Sequence, residues 1–184
     1  MKRVYIAYFV HGTTTDNEKG IATGWNQGEL SVKGIEESIK LGKLARQKKF
    51  DAVFCSDLKR AVDSAKLAFG GKEIIIDSRL RECNYGRLNG QDGPRVGAIG
   101  KLSITRPFPG GESYLDVEKR VREFLHYLAE KYEGKRVAIV SHRGPQLSLE
   151  VITNGRTWEQ AFREDWRFRK PAGWKPGWDY VYEE

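Results

Sequence analysis

The first dozen residues set the strongest constraint on the fold. Met1-Lys2-Arg3 leads into a run of β-branched and aromatic residues, Val4 to Val10, that stops abruptly at His11-Gly12. An unbroken apolar run of this length reads as a strand buried on both faces, and such strands belong to parallel sheets covered by helices. The polar stretch from Gly12 to Gly28 then leaves the strand's carboxyl end as a loop long enough to carry function. In open α/β sheets ligands bind at that edge. The pattern recurs at Val137-Ala138-Ile139-Val140-Ser141-His142, so two of the three histidines close strands far apart in sequence.

The remaining chain alternates as such a sheet requires. Ser31 is placed to cap a helix in which Val32, Ile35, Ile39 and Leu44 fall on one stripe. Ala52 to Cys55 is a short buried strand. Ser56-Asp57 is placed to cap the next helix, with Leu58, Ala61, Val62, Ala65 and Phe69 facing inward. Gly70-Gly71 ends that helix, and Ile74 to Ile76 is a third strand. From Asp77 to Pro109 glycines and Pro94 punctuate a polar stretch, which reads as an irregular flap over the sheet edge at about residues 83–109. A long helix follows, with Val117, Val121, Phe124, Leu125, Leu128 and Tyr132 at helical spacing, and then a strand from Arg136 to Val140. Pro145 is placed like an N1 proline for the helix carrying Leu147, Leu149, Val151 and Ile152. Thr157 is a cap for another helix, and Asp179 to Tyr182 is a candidate edge strand. The expected fold is α/β: a three-layer α/β/α sandwich with a mostly parallel central sheet, in one domain over residues 1–184.

The formal net charge of +7 and pI near 9.4 favour anionic partners, whether phosphorylated metabolites, nucleic acid or acidic surfaces. Cys55 and Cys83 have neither metal-ligand nor Cys-x-x-Cys spacing and read as free thiols of a reducing cytosol. The amino-terminal run is too short for a signal segment, and no apolar run approaches the ~20 residues that span a bilayer, so a cytoplasmic protein with no membrane contact is expected. There is no P-loop, and three scattered histidines do not make a metal site, so neither cofactor nor metal is expected. The segment from Arg156 to Trp178 mixes Arg, Lys, Trp and Phe. Nucleic-acid contact is one reading; the favoured one is a helix and a loop that lean aromatics on the core and expose the charges.

Five ordered blocks carry a resemblance. His11-Gly12 with Thr14, Asn17, Gly24, Leu30-Ser31 and Gly34 is similar to the opening of the histidine phosphatase (phosphoglycerate mutase-like) superfamily. Cys55 to Ala61 with Ala65 resembles its second block, and Leu80-Arg81-Glu82 with Gly86 and Gly90 its third. Pro109 to Ser113 and Val140-Ser141-His142 resemble the fourth and fifth. The match runs from about residue 4 to residue 145.

The resemblance implies a role for each position, and the chemistry of phosphoryl transfer agrees with it. Transfer needs a nucleophile, fixed cations around the phosphoryl oxygens and an acid for the leaving group. His11 is the implied nucleophile, forming a phosphohistidine, with its other nitrogen held by an acceptor such as a backbone carbonyl. His142 is the implied second histidine of the phosphate pocket, and Glu82 the implied proton donor. A loop glutamate paired with Arg79 or Arg81 is the alternative for Glu82. Arg60, early in a helix, can grip two phosphate oxygens. Asn17 can donate an amide hydrogen bond or be a turn residue. Thr14 and Gly12 complete the implied phosphate loop, while His126 reads as a surface residue and Glu112 as a charge at a helix start.

Two departures bear on activity. The family has an arginine immediately before its first histidine, where this chain has Val10; the loss is worth a few kcal/mol unless compensated. The residue after His142, usually glycine, is Arg143, which is a candidate for the missing cation, with Lys19 and Arg87 as further loop candidates. The reading is a phosphatase acting on a small phosphate monoester, whose pocket phosphate or sulfate could also occupy. A phosphoglycerate-type mutase and an impaired phospho-ligand binding protein are the rivals. Mutases of the family generally carry longer insertions than a flap of about thirty residues. Trp25, Tyr85, Arg87 and Arg95 are candidates for contact with the alcohol half.

Overall fold

The computed structural model describes residues 1–168 and 177–184. Its centre is a five-stranded sheet in the order β4 (Ile75–Ile76), β3 (Ala52–Cys55), β6 (Arg136–Ser141), β1 (Arg3–Val10), β7 (Gly177–Glu183). The first four strands run parallel, and β7 closes one edge antiparallel to β1. The final strand therefore lies at an edge, as its isolation after the last helix suggests.

Alternation along the strands sorts the core into two layers. Ala7 and Phe9, Val53 and Cys55, and Ala138 and Val140 join the apolar residues of α2 (Val32–Ala45) and α3 (Lys59–Phe69). Ile6 and Tyr8, Phe54, and Val137 and Ile139 join α5 (Tyr114–Lys131), α6 (Arg143–Asn154) and Trp158 of α7 (Trp158–Arg163). Helices thus cover both faces, giving the expected α/β/α sandwich.

Three local expectations need correction. The apolar stripe of α2 faces outward: Val32 is 76% exposed, and Ile35, Ile39 and Leu44 are exposed with it. The buried face is instead Gly34, Glu37, Ser38, Leu41, Gly42 and Ala45. Close backbone approach decides this orientation. A Cβ on Gly34 would lie 1.9 Å from the Thr13 carbonyl oxygen, and one on Gly42 2.6 Å from that of Ala68. Secondly, the N-cap of α3 is Leu58 rather than Ser56-Asp57, and its side chain makes no capping bond. Thirdly, Pro145 occupies the third position of α6, whose N-cap is His142. The caps at Ser31 and Thr157 each accept the expected backbone N–H, and Ser113 caps α5 in the same way.

The flap is more ordered than its glycines suggest. It contains β5 (Gln91–Asp92), paired antiparallel with β2 (Ile21–Ala22), and the helix α4 (Gly93–Gly100). The Asp92 side chain caps α4 by accepting from Arg95 N–H, with Pro94 in the first turn. The loop after β1 also holds a one-turn helix, α1 (Thr15–Glu18). No helix among the described residues is long and apolar enough to cross a membrane.

Candidate active site

Sheet order brings the site together. The register of β1 on β6 pairs Val10 with Ser141, and the His11 N–H donates to Ser141 O at 3.0 Å. His11 and His142 therefore leave adjacent strand ends, with ring centroids 5.0 Å apart. β3 is the next strand on the other side of β6, so the start of α3 delivers Arg60 to the same edge.

The imidazole of His11 is held in one tautomer. Its Nδ1 lies 2.7 Å from Gly12 O. A carbonyl only accepts, so Nδ1 carries the proton and Nε2 keeps its lone pair. Arg60 Nε donates to that Nε2 at 3.3 Å. Burial and then the Arg60 charge push the His11 pKa down to about 3, so the ring is neutral near pH 7. The guanidinium of Arg60, itself buried, is fixed by the carbonyls of Gly24 and Asn26, both at 2.7 Å, and of Gln27 at 3.3 Å.

His142 is fully buried, and burial, Arg60 and His11 hold its pKa well below the usual range. The Tyr8 hydroxyl clamps its peptide, donating to His142 O at 2.6 Å and accepting from His142 N–H at 3.0 Å. Its Nε2 lies 2.6 Å from Ser56 Oγ, which already accepts from Leu58 N–H. The Ser56 proton is then the natural donor to Nε2, which leaves the His142 proton on Nδ1. That Nδ1 is buried with no hydrogen-bond partner among the described residues.

Glu82 reaches the first turn of α6. Its Oε1 accepts from Cys83 and Gly144 N–H, both at 2.8 Å, and its Oε2 from Arg143 N–H at 3.1 Å. A Cβ at Gly144 would lie 2.6 Å from Oε1, so only glycine admits this contact. Arg79 and Arg81 pair with Asp77 and Asp57 instead of Glu82.

His11, Asn17, Arg60, Glu82 and Arg143 line one cleft of about 300 Å³, together with Val10. Gly12, Thr14 and His142 are buried and do not line it. Gly12 N–H donates to Ser64 Oγ at 3.0 Å, and a Cβ there would lie 2.2 Å from Gly34 O; its smallness serves packing on α2. Thr14 and Asn17 form a capping box, in which Asn17 Oδ1 accepts from Thr14 N–H and Asn17 keeps its amide NH₂ as a donor. Lys19 and Arg87 are exposed and line no part of the cleft. A larger cleft of about 910 Å³ shares Asn17, Tyr85 and Arg143 and continues over Val96 and Phe162 to Lys101 and Arg163. Trp25, Arg87 and Arg95 line neither cleft. Trp25 Nε1 instead donates to Glu82 O at 2.7 Å.

Three groups around the site escaped the sequence reading. Glu112, read as a helix-start charge, forms a two-pronged pair with Arg120, whose remaining N–H groups hold the carbonyls of Arg79, Arg81 and Glu82. Ser56 and Tyr8 fix His142. Finally, Trp166 and Arg167 line the cleft, and Asp165 is buried between Arg143 and Arg167. The segment from Arg156 to Trp178 thus does not expose all its charges; its residues 169–176 lie outside the described residues. The mixture of charge and aromatics in Asp165-Trp166-Arg167 is its only sequence signal. Among the described residues no cluster of three or more His, Cys, Asp or Glu could hold a metal ion.

Comparison with known proteins agrees with this arrangement. A 2,3-bisphosphoglycerate-dependent phosphoglycerate mutase of Methylorubrum extorquens is 30% identical over 164 residues, covering 80% of this chain and 77% of its own. The α-ribazole phosphatase of Shigella flexneri superposes with a TM-score of 0.77 at 25% identity, over 86% of this chain and 84% of its own. A mycobacterial glucosyl-3-phosphoglycerate phosphatase shares the fold at 24% identity, with a TM-score of 0.73 over 88% of this chain and 87% of its own. The sequence profile of the histidine phosphatase superfamily (branch 1) matches residues 8–170. With β3, β4, β6, the end of β1, both histidines and the helices between them inside that match, the chain belongs to the histidine phosphatase superfamily.

Proposed function

We propose that the protein is a phosphomonoesterase that works through a phosphohistidine on His11. The observation that carries this reading is the neutral, tautomer-locked His11, whose Nε2 meets Arg60 in a cleft that also contains Glu82. Nε2 attacks phosphorus, and the P–O bond to the alcohol breaks as Glu82, the general acid, gives a proton to the departing oxygen. Water then attacks phosphohistidine, Glu82 takes its proton, the N–P bond breaks and inorganic phosphate leaves. Arg60 and the Asn17 amide hold the phosphoryl oxygens. The buried Nδ1–H of His142, one ring away from His11, is a donor for the same oxygens. The 3.3 Å bond between Arg60 and His11 is long enough for a phosphate oxygen to displace it.

The alcohol half of a small phosphorylated substrate fits the larger cleft beside Tyr85, Val96 and Phe162. We place the enzyme in the cytoplasm, without cofactor, metal, nucleic acid or membrane partner. A mutase reading draws on the mutase-named relative. A mutase must retain its product until the phosphoryl group returns, and the flap, built of α4 and short turns, favours hydrolysis.

A panel of phosphate esters tests this reading. The expected result is release of inorganic phosphate, no net isomerisation of a phosphoglycerate, and loss of turnover on the order of 10³-fold or more in His11→Ala. Isomerisation without phosphate release would establish the mutase. No turnover on any ester, with phosphate binding retained, would establish a binding protein.

A further inference from the structure

The missing arginine at position 10 leaves the cleft short of one cation, and the structure offers a replacement from the other end of the chain. We propose that Arg167 is a phosphate-binding residue that takes over the place of the arginine absent at position 10. The proposal rests on the phosphoryl-transfer reading above.

Arg167 lines the 300 Å³ cleft together with Val10, His11 and Arg60, and it does not line the larger cleft. Its Nη1 is anchored, donating to Asp165 Oδ1 at 2.8 Å and to Gln146 Oε1 at 3.2 Å. Its Nη2 is buried with no hydrogen-bond partner among the described residues. A guanidinium with one prong tied down and the other buried and unmet is rare, because unmet buried donors are costly. Beside it Trp166 Nε1 is a second buried N–H without a partner, and Trp166 lines the same cleft. Two unmet donors on one wall suit the oxygens of a tetrahedral anion.

Charge agrees with geometry. Asp165 is shared by Arg143 Nε, at 2.6 Å, and Arg167 Nη1, so the trio keeps one net positive charge. Burial alone would raise the Asp165 pKa; Arg167 and Arg143 outweigh it and hold the carboxylate ionised. Arg167 is also among the charges that lower the His11 pKa. Arg60 and the trio together set two net positive charges beside Glu82, an excess of cations that suits a phosphate anion.

Arg143 is placed differently. Its Nε is engaged by Asp165, its guanidinium carbon lies 5.1 Å from the centre of the Phe162 ring, and it lines both clefts. It stands where phosphate and alcohol halves meet, and it orients Arg167 through their common carboxylate.

The test compares wild type, Arg167→Ala, Arg167→Lys, Arg143→Ala and the double variant Val10→Arg/Arg167→Ala. Binding of inorganic phosphate is measured by calorimetry and turnover with p-nitrophenyl phosphate. Arg167→Ala is expected to weaken phosphate binding about 10- to 100-fold, with Arg167→Lys intermediate and the double variant recovering at least part of the loss. Phosphate affinity within twofold of wild type in folded Arg167→Ala would overturn the proposal, as would a larger loss in Arg143→Ala than in Arg167→Ala. If Arg167→Ala does not fold, Arg167→Gln keeps a donor for Asp165 without the charge and is judged by the same twofold criterion. If the wild type binds phosphate through Arg167 but hydrolyses no ester, the hydrolase reading fails and this one stands. If it hydrolyses esters and Arg167→Ala does so equally well, the reverse holds. A wild type that neither binds phosphate nor hydrolyses esters overturns both.

Discussion

Two partly buried arginine–carboxylate clusters flank the candidate active site, and they are finished to different degrees. In the first, all five N–H groups of Arg120 are used: on both oxygens of Glu112 and on the carbonyls of Arg79, Arg81 and Glu82. In the second, Asp165 is shared between Arg143 and Arg167, and Arg167 Nη2 has no partner among the described residues. A closed set of hydrogen bonds is a scaffold. A set left open in a residue that lines a cleft keeps a donor to give to a ligand. The same residue types therefore serve architecture on one side of Glu82 and, in our proposal, recognition beyond α6.

The closed cluster depends most on Arg120. Arg120→Ala would strand Glu112 and free three carbonyls of the Glu82 loop, with an expected loss of about 3 kcal/mol of stability. Chemical denaturation measures this; a loss below about 0.5 kcal/mol would show that the cluster is not a scaffold. Asp165→Asn sharpens the contrast, because it removes the carboxylate that Arg143 and Arg167 share. Stability is expected to fall by about 2 kcal/mol while inorganic phosphate binds several-fold tighter, a combination that no purely structural role for the trio would produce.

A smaller effect concerns pH. The folded-state pKa of His11 is depressed to about 3, from an ordinary value of 6.5, and that of His142 is depressed too. Between those limits the unfolded chain binds protons that the native rings refuse. Stability is therefore expected to fall as pH drops from about 6.5, at up to about 1.4 kcal/mol per pH unit for each ring. Urea denaturation at pH 7, 6 and 5 measures the slope, and His11→Ala should flatten it. An unchanged slope in His11→Ala would mean that His11 is not a neutral buried ring.

Much of this site is legible in the sequence because chemistry and topology coincide there. Apolar runs that end in His11 and His142 place both rings at one sheet edge, and the helix after Cys55 places Arg60 beside them. What stays hidden depends on tertiary distance. Nothing in Val32, Ile35 and Ile39 announces that Gly34 and Gly42 let α2 turn its smaller face inward. Gly93 to Gly100 reads as loop because five of its residues are glycine, proline or arginine breaks in any apolar period, yet Asp92 caps it as a helix. Ser56 reads as a cap, but its hydroxyl meets His142, a contact spanning 86 residues. Arg167 is furthest from view: it lies outside every recognised block, and its bond to Asp165 acquires meaning only beside Val10 and His11.

The most direct measurement traps the covalent step. Rapid quenching of the enzyme with a phosphate ester, followed by ³¹P NMR of the denatured protein, reports any phosphate on histidine. The expected result is an acid-labile, base-stable phosphoramidate on His11 in the wild type and none in His11→Ala. Ester hydrolysis that persists in His11→Ala without a phosphohistidine would contradict the mechanism at its centre.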